Sequence, residues 1–106
     1  MPKYLISASY SAEGLRGLQR DKASGRRTAL TSAVEGVGGK VEGFYYALGE
    51  DDAYVIADLP DNVSATALGI AISAAGLART RTTVLMTVEE VDRALEKAVN
   101  YRAPGK

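Results

Sequence analysis

The sequence predicts an α+β domain in which four antiparallel strands and two helices follow the order β-α-β-β-α-β, with an extra C-terminal helix. Three observations predict it. Lys3 to Tyr10 alternates with a period of two, the pattern of a strand with two distinct faces. The segment Phe44 to Leu59 holds two apolar runs around the tip Gly49-Glu50-Asp51-Asp52, which reads as a β-hairpin. Thr87 and Glu90 stand at capping-box spacing behind another alternating segment, so a helix starts where the last strand stops.

Strand one puts Tyr4, Ile6, Ala8 and Tyr10 on one face and Leu5, Ser7 and Ser9 on the other. Ser11 then caps a helix with Glu13 in its first turn, whose apolar stripe begins at Leu15 and Leu18 and resumes at Leu30, Ala33, Val34 and Val37. Gly14, Gly17, Ser24 and Gly25 weaken that helix, so two pieces are expected, roughly 11 to 21 and 24 to 36, with a bend near Lys22. Gly36, Gly38 and Gly39 end it. The hairpin strands are Lys40 to Leu48 and Asp52 to Leu59, after which Pro60-Asp61-Asn62 breaks the sheet and caps a helix from Val63 to about Ala75, closed by Gly76. In that helix Ala65, Gly69 and Ser73 recur, and Leu68, Ile70 and Ile72 leave almost no charged surface, so burial on more than one side is expected. Leu77 to Met86 is the fourth strand. The last helix carries the stripe Val88, Val91, Leu95, Ala98 and Val99, with Glu89 and Arg93 paired on its wet side and Tyr101 expected to anchor the tail.

This order is the ferredoxin-like split βαβ plan, a four-stranded antiparallel sheet with two helices on one face. Ala53 to Ala57 is apolar on both sides, so the second face needs a cover, and a second copy of the chain is the economical one. Face-to-face sheets make a dimeric α/β barrel. Burying four large apolar side chains per protomer contributes on the order of 6 to 12 kcal/mol before association costs.

With 106 residues the chain has room for one domain, residues 1–106, and its 13 basic and 13 acidic residues cancel. That balance supplies no long-range field for nucleic acid or a membrane surface, and neither partner is expected. Cysteine, histidine and tryptophan are absent. The chain therefore has no thiolate nucleophile, imidazole base, Ser-His-Asp triad or ordinary zinc site, and no cofactor or metal is expected. Any proton transfer falls to Asp, Glu, Lys or Tyr. Met1-Pro2-Lys3-Tyr4 enters the first strand at once, without the basic head and apolar run of a signal peptide, which makes the cytoplasm the expected location.

Met1 to Tyr10, Tyr54 to Asn62 and Thr82 to Val91 resemble the corresponding segments of the GYD-domain family of small bacterial and archaeal proteins. The resemblance covers nearly the whole chain and implies the ferredoxin-like fold without assigning an activity. The family is named for a glycine, tyrosine and aspartate at the hairpin tip. Gly49 and Asp52 match, but Asp51 stands where the tyrosine is expected, so a role for that phenol does not carry over.

Four groups of residues carry the candidate chemistry. Gly49-Glu50-Asp51-Asp52 has carboxylates for a divalent cation, but a solvated turn with Gly49 at positive φ is the expected reading, and Asp52 as a general base lacks a visible partner. Tyr10, Tyr45, Tyr46 and Tyr54 lie on strands, where a ring packs while its hydroxyl reaches a cleft or a subunit interface. Arg79 and Arg81 share a strand face and suit a carboxylate or phosphate, or an edge strand guarded by charge. Ser24-Gly25-Arg26-Arg27, with Arg16, Arg20 and Lys22, offers cations at a helix start, although a solvated helix face is the simpler account. The expected function is a homo-oligomeric binding or sensing module for a small anionic or aromatic metabolite. The alternatives are a cofactor-independent isomerase, lyase or monooxygenase of the dimeric α/β barrel type, and a self-assembling structural subunit.

Overall fold

The computed structural model describes residues 1–106 and carries seven elements in the expected order. They are β1 (Lys3–Tyr10), α1 (Ala12–Gly36), β2 (Lys40–Tyr46), β3 (Ala53–Asp58), α2 (Asn62–Ala74), β4 (Ala78–Leu85) and α3 (Val88–Leu95). All the strands join one antiparallel sheet in the order β2-β3-β1-β4, compatible with the ferredoxin-like plan, with β2 and β4 at its edges. No helix is long and apolar enough to cross a membrane.

Strand pleating sets the core. Tyr4 and Ile6 of β1, Val55 and Ala57 of β3, and Leu59 turn inward and meet Val34 of α1 with Ala65 and Leu68 of α2. The inner Tyr4 ring is fully buried, and its hydroxyl donates to Asn62 Oδ1 at 2.6 Å, which satisfies the one polar atom the ring brings inside. On β3 burial alternates strictly, leaving Tyr54, Ile56 and Asp58 half-buried on the outer face. A bulge between Val41 and Gly43 shifts β2 in register, and Lys3 on the outer face pairs with both Glu42 and Asp58.

The Ser11 hydroxyl accepts from Gly14 N–H at 3.0 Å and caps α1. The expected bend lies at Lys22, whose φ of 65° and ψ of 165° interrupt the helix. Gly14 has its own reason to be glycine, because a Cβ there would lie 2.0 Å from the Leu77 carbonyl oxygen. The start of α1 thus touches the backbone leading into β4. Gly38, at φ 86°, turns the chain out of α1 toward β2.

Several expectations need correction. Gly49 is not among the glycines with positive φ, and the hairpin tip closes instead through the Ala47 N–H to Asp52 O bond. The α2 helix is buried on one side only, through Ala65 and Leu68, because it lies as an outer layer and turns Val63 and Ile70 to solvent. The α3 helix ends at Leu95, so Ala98 and Val99 lie beyond it, and it buries no residue. Tyr101 is exposed and does not anchor the tail.

Candidate functional site

A cleft of about 220 Å³ opens between α1, the inner face of the sheet and the C-terminal end of α2. Its floor is apolar because the alternating strands turn Ile6, Ala8, Ala53, Val55 and Phe44 inward, and Leu30 and Ile72 close its sides. The rim is charged. Glu13, Arg20, Asp21 and Arg26 come from the two halves of α1, and the bend at Lys22 separates Arg20 and Asp21 from Arg26. Arg26 is held by Asp21 at 3.4 Å, which leaves Arg20 as the cation free to meet a guest.

Tyr10 lines this cleft, and Tyr46 lies on the same inner face. Partial loss of solvent around Tyr46, which stays 39% exposed, and then the nearby Tyr10 phenol push the Tyr46 phenol up to about 12, while Arg26 pulls the other way. Tyr10 and Arg26 line the cleft, and Tyr46 stands near both but outside its lining. The cleft can enclose an apolar body and present phenol and guanidinium donors to a polar end.

The other expected site residues fall elsewhere. Tyr45 and Tyr54 face each other across the outer face in a rung completed by Ser7 and Arg81, so the four tyrosines do not share one cleft. The reason is periodicity, since Tyr45 and Tyr46 are sequence neighbours and point to opposite faces. Arg79 and Arg81 do share a face, on edge strand β4. Asp52 turns away from the cleft chemistry and accepts from the Tyr10 N–H at 2.8 Å, extending the strand pairing past the hairpin tip.

The hairpin tip is not a wholly solvated turn. Asp51 is only 8% exposed. Its carboxylate accepts from Ser9 Oγ at 3.0 Å, from Tyr54 Oη at 3.3 Å and from the Arg81 guanidinium. Loss of solvent pushes its carboxyl up, yet the hydrogen bonds from Ser9, Arg81 and Tyr54 and the Arg81 charge outweigh that and hold it below the usual range. Asp51 and Asp52 thus engage separate partners rather than converging on a common point.

Sequence reasoning missed Asp51 as a hub and Ser9 as its donor; it singled out Arg20 and Arg26 as cations at a helix start, but not as the rim of this cleft. A signal for the last existed in the bend at Lys22, which breaks the helical phase between the two arginines. Neither the curated proteins nor the solved structures contain a match to this chain. The GYD domain matches residues 4–95, from the first inner-face tyrosine to the end of α3. That span takes in the whole sheet, the hairpin tip and the cleft, and the chain belongs to the GYD-domain family.

Proposed function

We propose that this chain is a binding or sensing module for a small ligand with an apolar or aromatic body and an anionic end, held in the cleft under α1, and that it works as a homo-oligomer. The cleft carries the reading. Its volume of about 220 Å³ exceeds the roughly 150 Å³ of an engineered cavity that takes up benzene, and so suits one ring or a short branched chain. Arg20 and the Tyr10 hydroxyl stand where such a ligand would place its carboxylate. Self-association is supported by the half-buried Leu5, Tyr54 and Ile56 of the outer sheet face, which suit a dimeric α/β barrel.

Thermal shift and calorimetry with benzoate, phenylacetate and isovalerate, each beside its neutral amide, test the ligand reading. Stabilisation by at least one acid, weakened when Ala8→Leu fills the cleft floor, is the expected result. A ligand at 100 times its Kd contributes about 2.7 kcal/mol, well within detection. No response to any of these compounds would overturn the cleft as a ligand site.

A further inference from the structure

Gly17 is a glycine that the packing of the protein does not require. It stands inside the first half of α1, where glycine is less favourable than alanine, and its φ is not positive. Space does not demand it either. Outside the helix backbone, a Cβ added there would meet only the Arg20 guanidinium, at 3.9 Å, an ordinary contact with the movable end of a side chain. Gly14, one turn earlier, differs, because the Leu77 carbonyl excludes any side chain. What Gly17 faces is the cleft, whose wall it forms while half-buried.

The groups on either side of Gly17 define what its missing side chain leaves room for. Gly14, Gly17 and Arg20 follow at three-residue spacing and share one side of α1. The Tyr10 ring packs at the Gly14 end, with Cδ1 3.2 Å from the point a Gly14 Cβ would occupy, and the Arg20 guanidinium lies at the Gly17 end. A bare strip of helix backbone thus runs from an aromatic ring to a free cation. Phe44 adds a second aromatic wall to the cleft, and its ring pairs with Tyr46 at 5.1 Å, tilted by 34°. A guest ring near Tyr10 and Phe44 gains ring-to-ring contact that an aliphatic body forgoes. The remaining charges fix its direction. Asp21 is engaged by Arg26, and Glu13 stands two turns before Arg20, about 10 Å along the helix axis, where it turns an anionic group away.

We propose that Gly17 is the specificity-determining residue of the cleft and that the ligand is a planar aromatic carboxylate, its ring against the Gly17 backbone and its carboxylate on Arg20. Glycine lets a backbone approach a ligand closely. A flat ring uses that closeness, whereas a saturated ring carries hydrogens above and below its plane and stands off. The glycine weakens the helix and improves the fit of the ligand, the exchange expected of a residue kept for function. The proposal rests on the cleft reading above and narrows its ligand from any small apolar anion to one class.

Benzoate and cyclohexanecarboxylate share a charge and a carbon count and differ in thickness. Calorimetry on the full chain should show benzoate binding tighter by roughly fivefold or more, the scale of one aromatic pair. In the Gly17→Ala chain benzoate affinity should fall by about tenfold or more, the scale of one methyl group in an apolar pocket, while the melting temperature without ligand stays level or rises. The two readouts move apart only where the glycine serves the ligand, since a glycine needed for packing would lower both. A Gly17→Ala chain that melts lower than the parent, or that binds benzoate as tightly, overturns the role of Gly17 and leaves the cleft standing as a ligand site. Equal affinity for the two acids, or binding of isovalerate without benzoate, overturns the aromatic class and again leaves the cleft. No binding of benzoate, phenylacetate or isovalerate by the parent overturns both.

Discussion

The Tyr54 hydroxyl donates to the Asp51 carboxylate at 3.3 Å, tying a strand residue to the tip of its own hairpin. Ser9 and Arg81 add donors from β1 and β4, so one carboxylate connects three strands at the end of the sheet. Because its carboxyl is held below the ordinary range, ionised Asp51 favours the folded state. That contribution is present above the unfolded-state value of about 3.9 and is lost as pH falls through the lower folded value. Asp51→Asn keeps the shape and removes the charge. The variant should be less stable at pH 7, and its stability should fall less than that of the parent between about pH 5 and 2. Equal slopes in denaturant titrations across that range would contradict the assignment.

Tyr46 gives the mirror case at high pH. Its phenol is pushed up to about 12 by partial loss of solvent and by Tyr10, so the folded state favours the neutral form. The stabilisation is complete below the unfolded value of about 10 and disappears as pH rises through the folded one. Absorbance near 295 nm, a band typical of phenolate, should show a Tyr46 ionisation about two pH units above the ordinary tyrosine value. Tyr46→Phe should remove that late step and flatten the loss of stability between about pH 10 and 12.

The fold was largely legible because its signals are local. Period-two alternation located β1 and β4, and the Thr87–Glu90 spacing located the start of α3 to the residue. The bend in α1 was legible as well, since glycines and Ser24 crowd around Lys22. What stayed hidden depends on the third dimension. Alternation says that Tyr45 and Tyr46 diverge, but not which of them shares a face with Tyr10. The burial of Asp51 could not be read from an acidic tip, because its donors Ser9 and Arg81 are 42 and 30 residues away in sequence. The uncharged α2 misled for a related reason: lack of charge does not tell how many sides of a helix the fold covers, and only Ala65 and Leu68 of this one are buried.

Lys22 occupies backbone space that is essentially reserved for glycine, with φ 65° and ψ 165°. Such a residue costs about 1–3 kcal/mol, and the bend it makes sets Arg20 and Arg26 around the cleft. Lys22→Gly keeps the bend while relieving the strain, less some added freedom in the unfolded chain. The variant should melt several degrees higher with ligand binding unchanged. Lys22→Ala keeps the strain and removes only the charge, so it should leave the melting temperature close to that of the parent.

Gly14 and Gly17 make a paired test of how the sheet meets α1. In an ordinary helix position glycine is less favourable than alanine by about 1 kcal/mol. At Gly17 the nearest atom to an added Cβ is the Arg20 guanidinium, 3.9 Å away, so Gly17→Ala should raise stability by roughly 0.5–1 kcal/mol. At Gly14 the added Cβ meets the Leu77 carbonyl oxygen at 2.0 Å and its carbon at 2.9 Å, both backbone atoms that cannot rotate away. The same carbonyl accepts from the Ser11 N–H at 2.9 Å, so moving it strains the α1 cap as well. Overpacking of this kind costs about 1–3 kcal/mol or more and outweighs the helix-propensity gain. Gly14→Ala should therefore lower the melting temperature by several degrees, at about 4–8 °C per kcal/mol. Opposite signs for the two substitutions in thermal unfolding would confirm that close backbone approach keeps Gly14 a glycine. A stabilised Gly14→Ala would mean that α1 and the Leu77 segment are not in contact.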